Sequence, residues 1–369
     1  MGQALLPRRE GDIVIPPEGF GLVFMGGGAK GAYQLGVWQA LREMDIPIQA
    51  VTGASIGSIN GALLAQGDFQ AALDAWHSVR MSQIVKADGI SDATENLLDP
   101  RNLAAITREM IMRRGLDNTP LRDTLAAILD EDRIRASGID YGMTTFSKTD
   151  LSTTEIFVGE IPQGQLIDFI MASACFPIFK SVQIGEHEFI DGGIGDNMPV
   201  RMLLRRGCRH IITVDIGGVG LVRPVRPDGA TIITVKYSMP LGGLFDLSPE
   251  TLAFNQALGY LDTMKVFGRM QGRYYFFPRA QYGRMTAHFS RYTCEGLEEA
   301  ALLYGLKRDR SYSAEEFFDG LLEAFEREQP RFEQKLESPA YRNILRELKN
   351  GGGLTGSLDG PMRLHTAME

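Results

Sequence analysis

A serine framed by small residues stands at Gly53-Ala54-Ser55-Ile56-Gly57, where the apolar run Ile48 to Thr52 gives way to a helical pattern. In a G-x-S-x-G between strand and helix, a sharp turn projects the hydroxyl away from the sheet. Small neighbours suit such a turn, because it leaves no room for branched side chains. The helix N-terminus behind the serine adds partial positive charge, which favours developing negative charge. Ser55 is therefore a candidate nucleophile. Gly53, Gly57 and Gly61 recur every four residues and leave one helix face bare. Taken alone, the motif fits equally a tight helix–sheet contact with an incidental serine.

Two further glycine motifs supply what a nucleophile would need. Gly26-Gly27-Gly28-Ala29-Lys30-Gly31 also lies between a strand and a helix. Glycines permit positive φ and let successive backbone N–H groups converge on an anion. The same letters contain G-x-G-x-x-G, but a dinucleotide site wants an acid at the end of the next strand, and that strand ends Val51-Thr52-Gly53. A Walker loop fails because Gly31, not Ser or Thr, follows Lys30. One strand before an elbow serine, an oxyanion hole is the better reading. The third motif, Asp191-Gly192-Gly193, is by itself a common turn. Its weight comes from the order: glycine loop, elbow serine, D-G-G.

The elements that must position these motifs follow from periodicity. Strands are expected at 21–25, 48–52, 139–147, 154–158, 210–216 and 231–236, with a hairpin over 181–190. Helices are expected at 29–44, 55–65, from Asp68 through Val79, at 101–114, from Thr119 to about 130, at 164–174 and at 199–206. Beyond residue 240 the pattern turns helical, at 248–272, 293–306, 313–327 and 338–349. Alternating strands and helices predict an α/β fold: a three-layer α/β/α sandwich on a mainly parallel central sheet, followed by a helical C-terminal region.

Bulk properties exclude several classes. With 369 residues, 44% hydrophobic and 23% charged, the chain is long enough for a large α/β domain with an extension. A net charge of −8 argues against nucleic acid as a partner. Three cysteines, Cys175, Cys208 and Cys294, show no C-x-x-C spacing, which argues against a disulfide framework or a zinc site. The opening residues lack an apolar signal core, and no run approaches the ~18 apolar residues of a membrane span. A cytoplasmic protein is the expectation.

At this point the sequence resembles a family. MGGGAKGAYQLGVWQAL, GASIGS and FIDGGIGDNMPV resemble the three signature blocks of patatin-like phospholipases of the bacterial type, in their order. GLDNTPLRDTL and MASACFPIFKSVQIGEHEFIDGG are similar to the intervening segments, so the resemblance covers roughly residues 20 to 280. It implies a patatin-like fold and a serine lipid acyl hydrolase, of phospholipase A or lysophospholipase type, with a Ser-Asp dyad and no metal or cofactor. Carried onto this chain, it makes Ser55 the nucleophile, Asp191 the base and Gly26, Gly27 and Gly28 the oxyanion hole, with Gly27 and Gly28 foremost as N–H donors. Lys30, Gly31, Gly53, Gly57, Gly192, Gly193 and Asn197 take supporting places. Met25 departs from the Asp of plant-type members. The implied domains are a leader at 1–19, a patatin-like catalytic domain at 20–282, a helical extension at 283–349 and a disordered tail at 350–369.

The implied partners are lipid or acyl-ester substrates, with transient contact at a membrane surface. Acyl transfer or thioester hydrolysis on the same site, and a non-enzymatic lipid-binding scaffold, are the competing readings. A dyad needs a stronger base than an ordinary Asp, and burial supplies one. His77, His187 and His210 are the histidines weighed as a third member, and each is expected at a surface or in packing. Two segments carry alternative readings. Tyr237 to Leu247 lines an acyl channel, faces a membrane or is a buried crossover, the crossover preferred. The arginines of residues 201–209 either meet phosphate head groups or form a solvated face, the solvated face preferred.

Overall fold

The computed structural model describes residues 13–86, Leu97 and 115–336. The helices expected at 101–114 and 338–349, most of the leader and the tail at 350–369 lie outside the described residues. The chain divides into two compact units after Val266.

In the first unit, β1 (Phe20–Phe24) leads through a glycine turn to α1 (Ala32–Glu43), and β2 (Ile48–Ala54) leads through Ser55 to α2 (Ile56–Gln66). Next come α3 (Phe69–Ser78), capped by the Asp68 carboxylate on the Ala71 N–H, α4 (Thr119–Ile128) and α5 (Glu131–Ala136). The hairpin β3 (Asp140–Ser147) and β4 (Ser152–Phe157) precedes α6 (Leu166–Ser173). A second hairpin, β5 (Val182–Ile184) and β6 (His187–Asp191), is followed by α7 (Val200–Arg205), β7 (His210–Asp215), β8 (Thr231–Lys236) and α8 (Pro249–Val266).

The strands form one eight-stranded sheet in the order β5-β6-β3-β2-β1-β7-β8, with β4 also paired to β3. It is mixed rather than uniformly parallel: β3, β2, β1, β7 and β8 run parallel, while β4, β5 and β6 join antiparallel. Helices cover both faces, as side-chain alternation requires. Ala50 of β2 packs with Val200 and Leu203 of α7 on one face. Its neighbour Val51 lies beneath Gly61 of α2 on the other.

Register on β3 decides where the site forms. Gly142 to Thr144 pair with both β2 and β4, so those two strands occupy opposite edges. Thr145 to Ser147 pair with both β4 and β6, so β6 lies on the edge already used by β2. Antiparallel to β3, β6 runs towards β2 and stops where β2 stops. Ala54 sits opposite Thr144 and Asp191 opposite Thr145. Two strands distant in sequence thus end head to head at one point.

The second unit contains the short antiparallel pair β9 (Met270–Gln271) and β10 (Phe277–Pro278), then α9 (Arg279–His288), α10 (Arg291–Leu303) and α11 (Ala314–Leu336). Its core includes Tyr275, Phe277, Tyr282, Cys294, Tyr312 and Phe317. Tyr275, Phe277 and Tyr282 belong to the core of this unit, which begins at Phe267. The helix expected to run to 272 ends at Val266, and α9 falls in a stretch where none was expected.

Candidate active site

The Ser55 turn is built by the chain around it. Ser55 has φ 53° and ψ −127°, a left-handed conformation unusual for a residue with a side chain. Its N–H donates to Ser173 Oγ at 3.1 Å, and its carbonyl accepts from the Ser58 hydroxyl at 2.7 Å. Gly57 is obligatory, since a Cβ there would lie 2.2 Å from the Phe24 carbonyl oxygen. Strain at Ser55 is therefore held by bonds on both sides of it.

Asp191 reaches the same point from β6 and is 5% exposed. Oδ1 accepts the Gly193 N–H at 2.8 Å, while Oδ2 has no partner in ordinary hydrogen-bond geometry. Burial pushes the carboxyl up to about 6, with hydrogen bonding from the Ser55 side chain and then from the Gly193 N–H pulling it back. Ser55 and Asp191 are thus close enough to act on each other, in a looser contact than a formed bond. Catalytic hydrogen bonds are often long in a free enzyme and tighten on substrate.

The glycine turn closes the third side. A Cβ on Gly26 would lie 3.0 Å from the Ser55 Cβ, so this loop passes directly beside the serine. The Gly26 N–H is spent on the Asn197 carbonyl at 3.2 Å. Gly27 and Gly28 N–H have no acceptor among the described residues, so the turn offers two free donors. Gly28 has φ 56°, and a Cβ there would meet the Leu244 carbonyl oxygen at 2.1 Å. No other residue fits.

Supporting residues anchor this turn. Lys30 Nζ donates to the Gly217 carbonyl at 3.0 Å. Asn197, 1% exposed, donates from Nδ2 to the Gly26 carbonyl at 3.2 Å. Gly31, Gly53, Gly192 and Gly193 all sit against neighbours that exclude a side chain, Gly192 only 2.0 Å from the Thr144 carbonyl oxygen on this measure. Sequence reasoning missed the buried amides beneath. Gln34 donates to the Met25 carbonyl at 2.6 Å and accepts from Asn60 at 2.8 Å. Asn60 also donates to the Gly31 carbonyl at 3.0 Å and accepts from the Trp76 indole at 2.9 Å. Polar residues at positions of α1 and α2 otherwise reading as core were the available signal. Ser173 and the fully buried Asp196, whose carbonyl accepts from the Thr144 hydroxyl at 3.0 Å, gave none.

Ser55, Asp191 and Gly26 to Gly28 open into a cavity of about 360 Å³. Apart from them it is mostly apolar, walled by α2, α3, α4 and the segment around Phe176. Leu244, Phe245 and Leu247, at the end of the Tyr237 to Leu247 segment, also line it. No histidine lines the cavity among the described residues. His77 bonds Gln256, His187 pairs with Asp150 and His210 with Glu18, all at exposed positions. Arg205 pairs with Glu155, and Arg206 pairs with Asp140 at 3.3 Å. Asp140 begins β3, at the end of the sheet away from Ser55. These arginines form a paired, solvated face.

Residues 22–204 match the family model described as patatin-like phospholipase. Through these residues the chain belongs to the patatin-like phospholipase family. The chain is 29% identical over 214 residues to "Patatin-like phospholipase domain-containing protein ZK370.4" of Caenorhabditis elegans, covering 56% of this chain and 14% of that protein. It is 30% identical over 208 residues to "Lysophospholipase NTE1" of Saccharomyces cerevisiae, covering 55% of this chain and 11% of that protein. The chain therefore spans only a small part of the length of the curated relatives it matches. Among solved structures, VipD from Legionella pneumophila aligns over 91% of this chain and 78% of its own, with TM-score 0.45 and 16% identity.

Proposed function

We propose that the patatin-like domain hydrolyses carboxylic esters of lipids through an acyl-enzyme on Ser55. The observation that carries this reading is the meeting, at the head of one apolar cavity, of a strained serine, a buried aspartate and two free N–H donors. A relative bearing the name lysophospholipase supports lysophospholipids as a substrate class.

In this mechanism Asp191 takes the hydroxyl proton as Ser55 Oγ attacks the acyl carbonyl. Negative charge develops on the carbonyl oxygen between the Gly27 and Gly28 N–H groups, aided by the N-terminus of α2. Collapse expels the alcohol, which receives the proton from Asp191. Water then attacks the acyl-enzyme with Asp191 again as base. A carboxyl at about 6 is a far better base than one near 3.9 and is still ionised at neutral pH.

The test is hydrolysis of p-nitrophenyl butyrate, with EDTA present, by wild type, Ser55→Ala and Asp191→Asn. The proposal requires an active wild type and two folded, inactive variants. Full activity in Ser55→Ala would remove the nucleophile assignment.

A further inference from the structure

The cavity below Ser55 has a measurable depth. Three side chains of α2 line it, Ile56, Ile59 and Leu63, one helical face starting beside the nucleophile. Leu121, Leu125 and Ile128 line it from α4, spaced by four and three where the α2 residues are spaced by three and four. Both helices line the cavity from near their N-termini to near their C-termini. Their C-terminal ends are tied by Gln66 of α2, which donates to the Ile128 carbonyl at 3.0 Å and accepts from the Asp130 N–H at 2.7 Å. Gln66 is only 7% exposed. Ala75, Trp76 and Val79 of α3 form the third wall. Leu63 and Ile128 are the last lining residues on their helices, immediately above the Gln66 tie.

We propose that this slot is an acyl-chain gauge: Leu63 and Ile128, held together by Gln66, form a floor that selects acyl groups of about eight to ten carbons. This deepens the reading of Ser55 as an acyl-accepting nucleophile and rests on it. From Ile56 to Leu63 a helix rises about 10.5 Å, at ~1.5 Å per residue. An extended chain advances about 3.5 Å per three bonds, or ~1.2 Å per bond. The slot therefore takes about eight or nine bonds beyond the ester carbon. Each methylene that gains burial adds roughly fourfold to kcat/KM, until the chain meets the floor. A longer chain must bend back to the mouth and gains nothing more.

The experiment is a chain-length profile of kcat/KM for p-nitrophenyl esters from four to sixteen carbons, on wild type, Leu63→Ala and Ile128→Ala. The expected wild-type profile climbs steeply to eight or ten carbons and falls beyond. Shortening either floor residue moves the maximum to longer chains by about two carbons. Butyrate hydrolysis in wild type separates the two ideas. If butyrate is hydrolysed and rates rise unbroken to sixteen carbons, the gauge is wrong while the esterase stands. If both floor variants keep the wild-type maximum, the gauge is also wrong. If no ester is hydrolysed, displacement of an apolar dye by fatty acids of the same lengths reads the slot directly. Tightening that stops near ten carbons supports the floor, and tightening that continues to sixteen overturns it.

Discussion

The two glycine-rich turns of this domain share one plan, strand to turn to helix, and put it to opposite uses. In the turn after β1, side chains are removed so that backbone N–H groups of Gly27 and Gly28 stay free. In the turn after β2, a side chain is kept at the one residue with positive φ, so that a single hydroxyl stands on a backbone conformation that glycine would adopt more readily. The first turn is held from outside, by Asn197, Lys30 and the Gln34–Asn60 pair. The second is held from close by, through Ser173 and Ser58. One turn works by what it lacks and the other by what it retains, and each needs a different kind of support.

Substitutions separate these roles. Replacing the retained group has the largest effect: Ser55→Ala is expected to lower kcat by about 10⁴-fold or more, measured as ester hydrolysis with folding checked by circular dichroism. Filling the empty turn comes next. Gly28→Ala forces a Cβ towards the Leu244 carbonyl oxygen at a left-handed φ, and is expected to lower kcat by about 10²–10³-fold with a smaller change in KM. A Gly28→Ala variant with wild-type kcat would show that this turn is not the oxyanion site.

A third measurement concerns pH. Activity is expected to rise through about pH 6 and level off above it, as Asp191 loses its proton. Stability runs the other way. A carboxyl whose folded pKa lies above its unfolded value favours the fold in its protonated form, fully below about pH 3.9, and loses that contribution as pH rises through about 6. Asp191→Asn does not titrate, so its stability relative to wild type is expected to improve by about 2–3 kcal/mol from acid to pH 8. Chemical denaturation of both proteins at pH 4 and pH 8 checks this. The smallest effect is at the support: Ser173→Ala leaves the Ser55 N–H without its acceptor and is expected to cost about tenfold in kcat/KM, or ~1.4 kcal/mol.

The sequence carried the turns themselves because each depends on residue types that few other environments need. Three glycines followed by a helix, and a serine between small residues, are local requirements written in adjacent letters. The strand–helix alternation of the first unit was readable for the same reason. The mixed sheet was not, because the edge that β6 chooses on β3 depends on register between segments some forty residues apart. The loss of Gly26 as a donor was equally hidden, since its acceptor is the carbonyl of Asn197. The boundary at Val266 depends on where Tyr275 and Phe277 find partners, and their apolar character alone does not say.

That choice of edge has an engineering consequence. Ser55 and Asp191 are spaced by hydrogen bonds of β3 to two strand ends and held by Ser173 and Cys175 on the way to β5, and the tip of the β5–β6 hairpin takes part in neither. The chain can therefore be lengthened or cut at the exposed tip of the β5–β6 hairpin without respacing the pair. A chain nicked at Gly185 should bring Ser55 and Asp191 together as the intact chain does, so this site is better described as a docking of two strand ends than as a loop constellation.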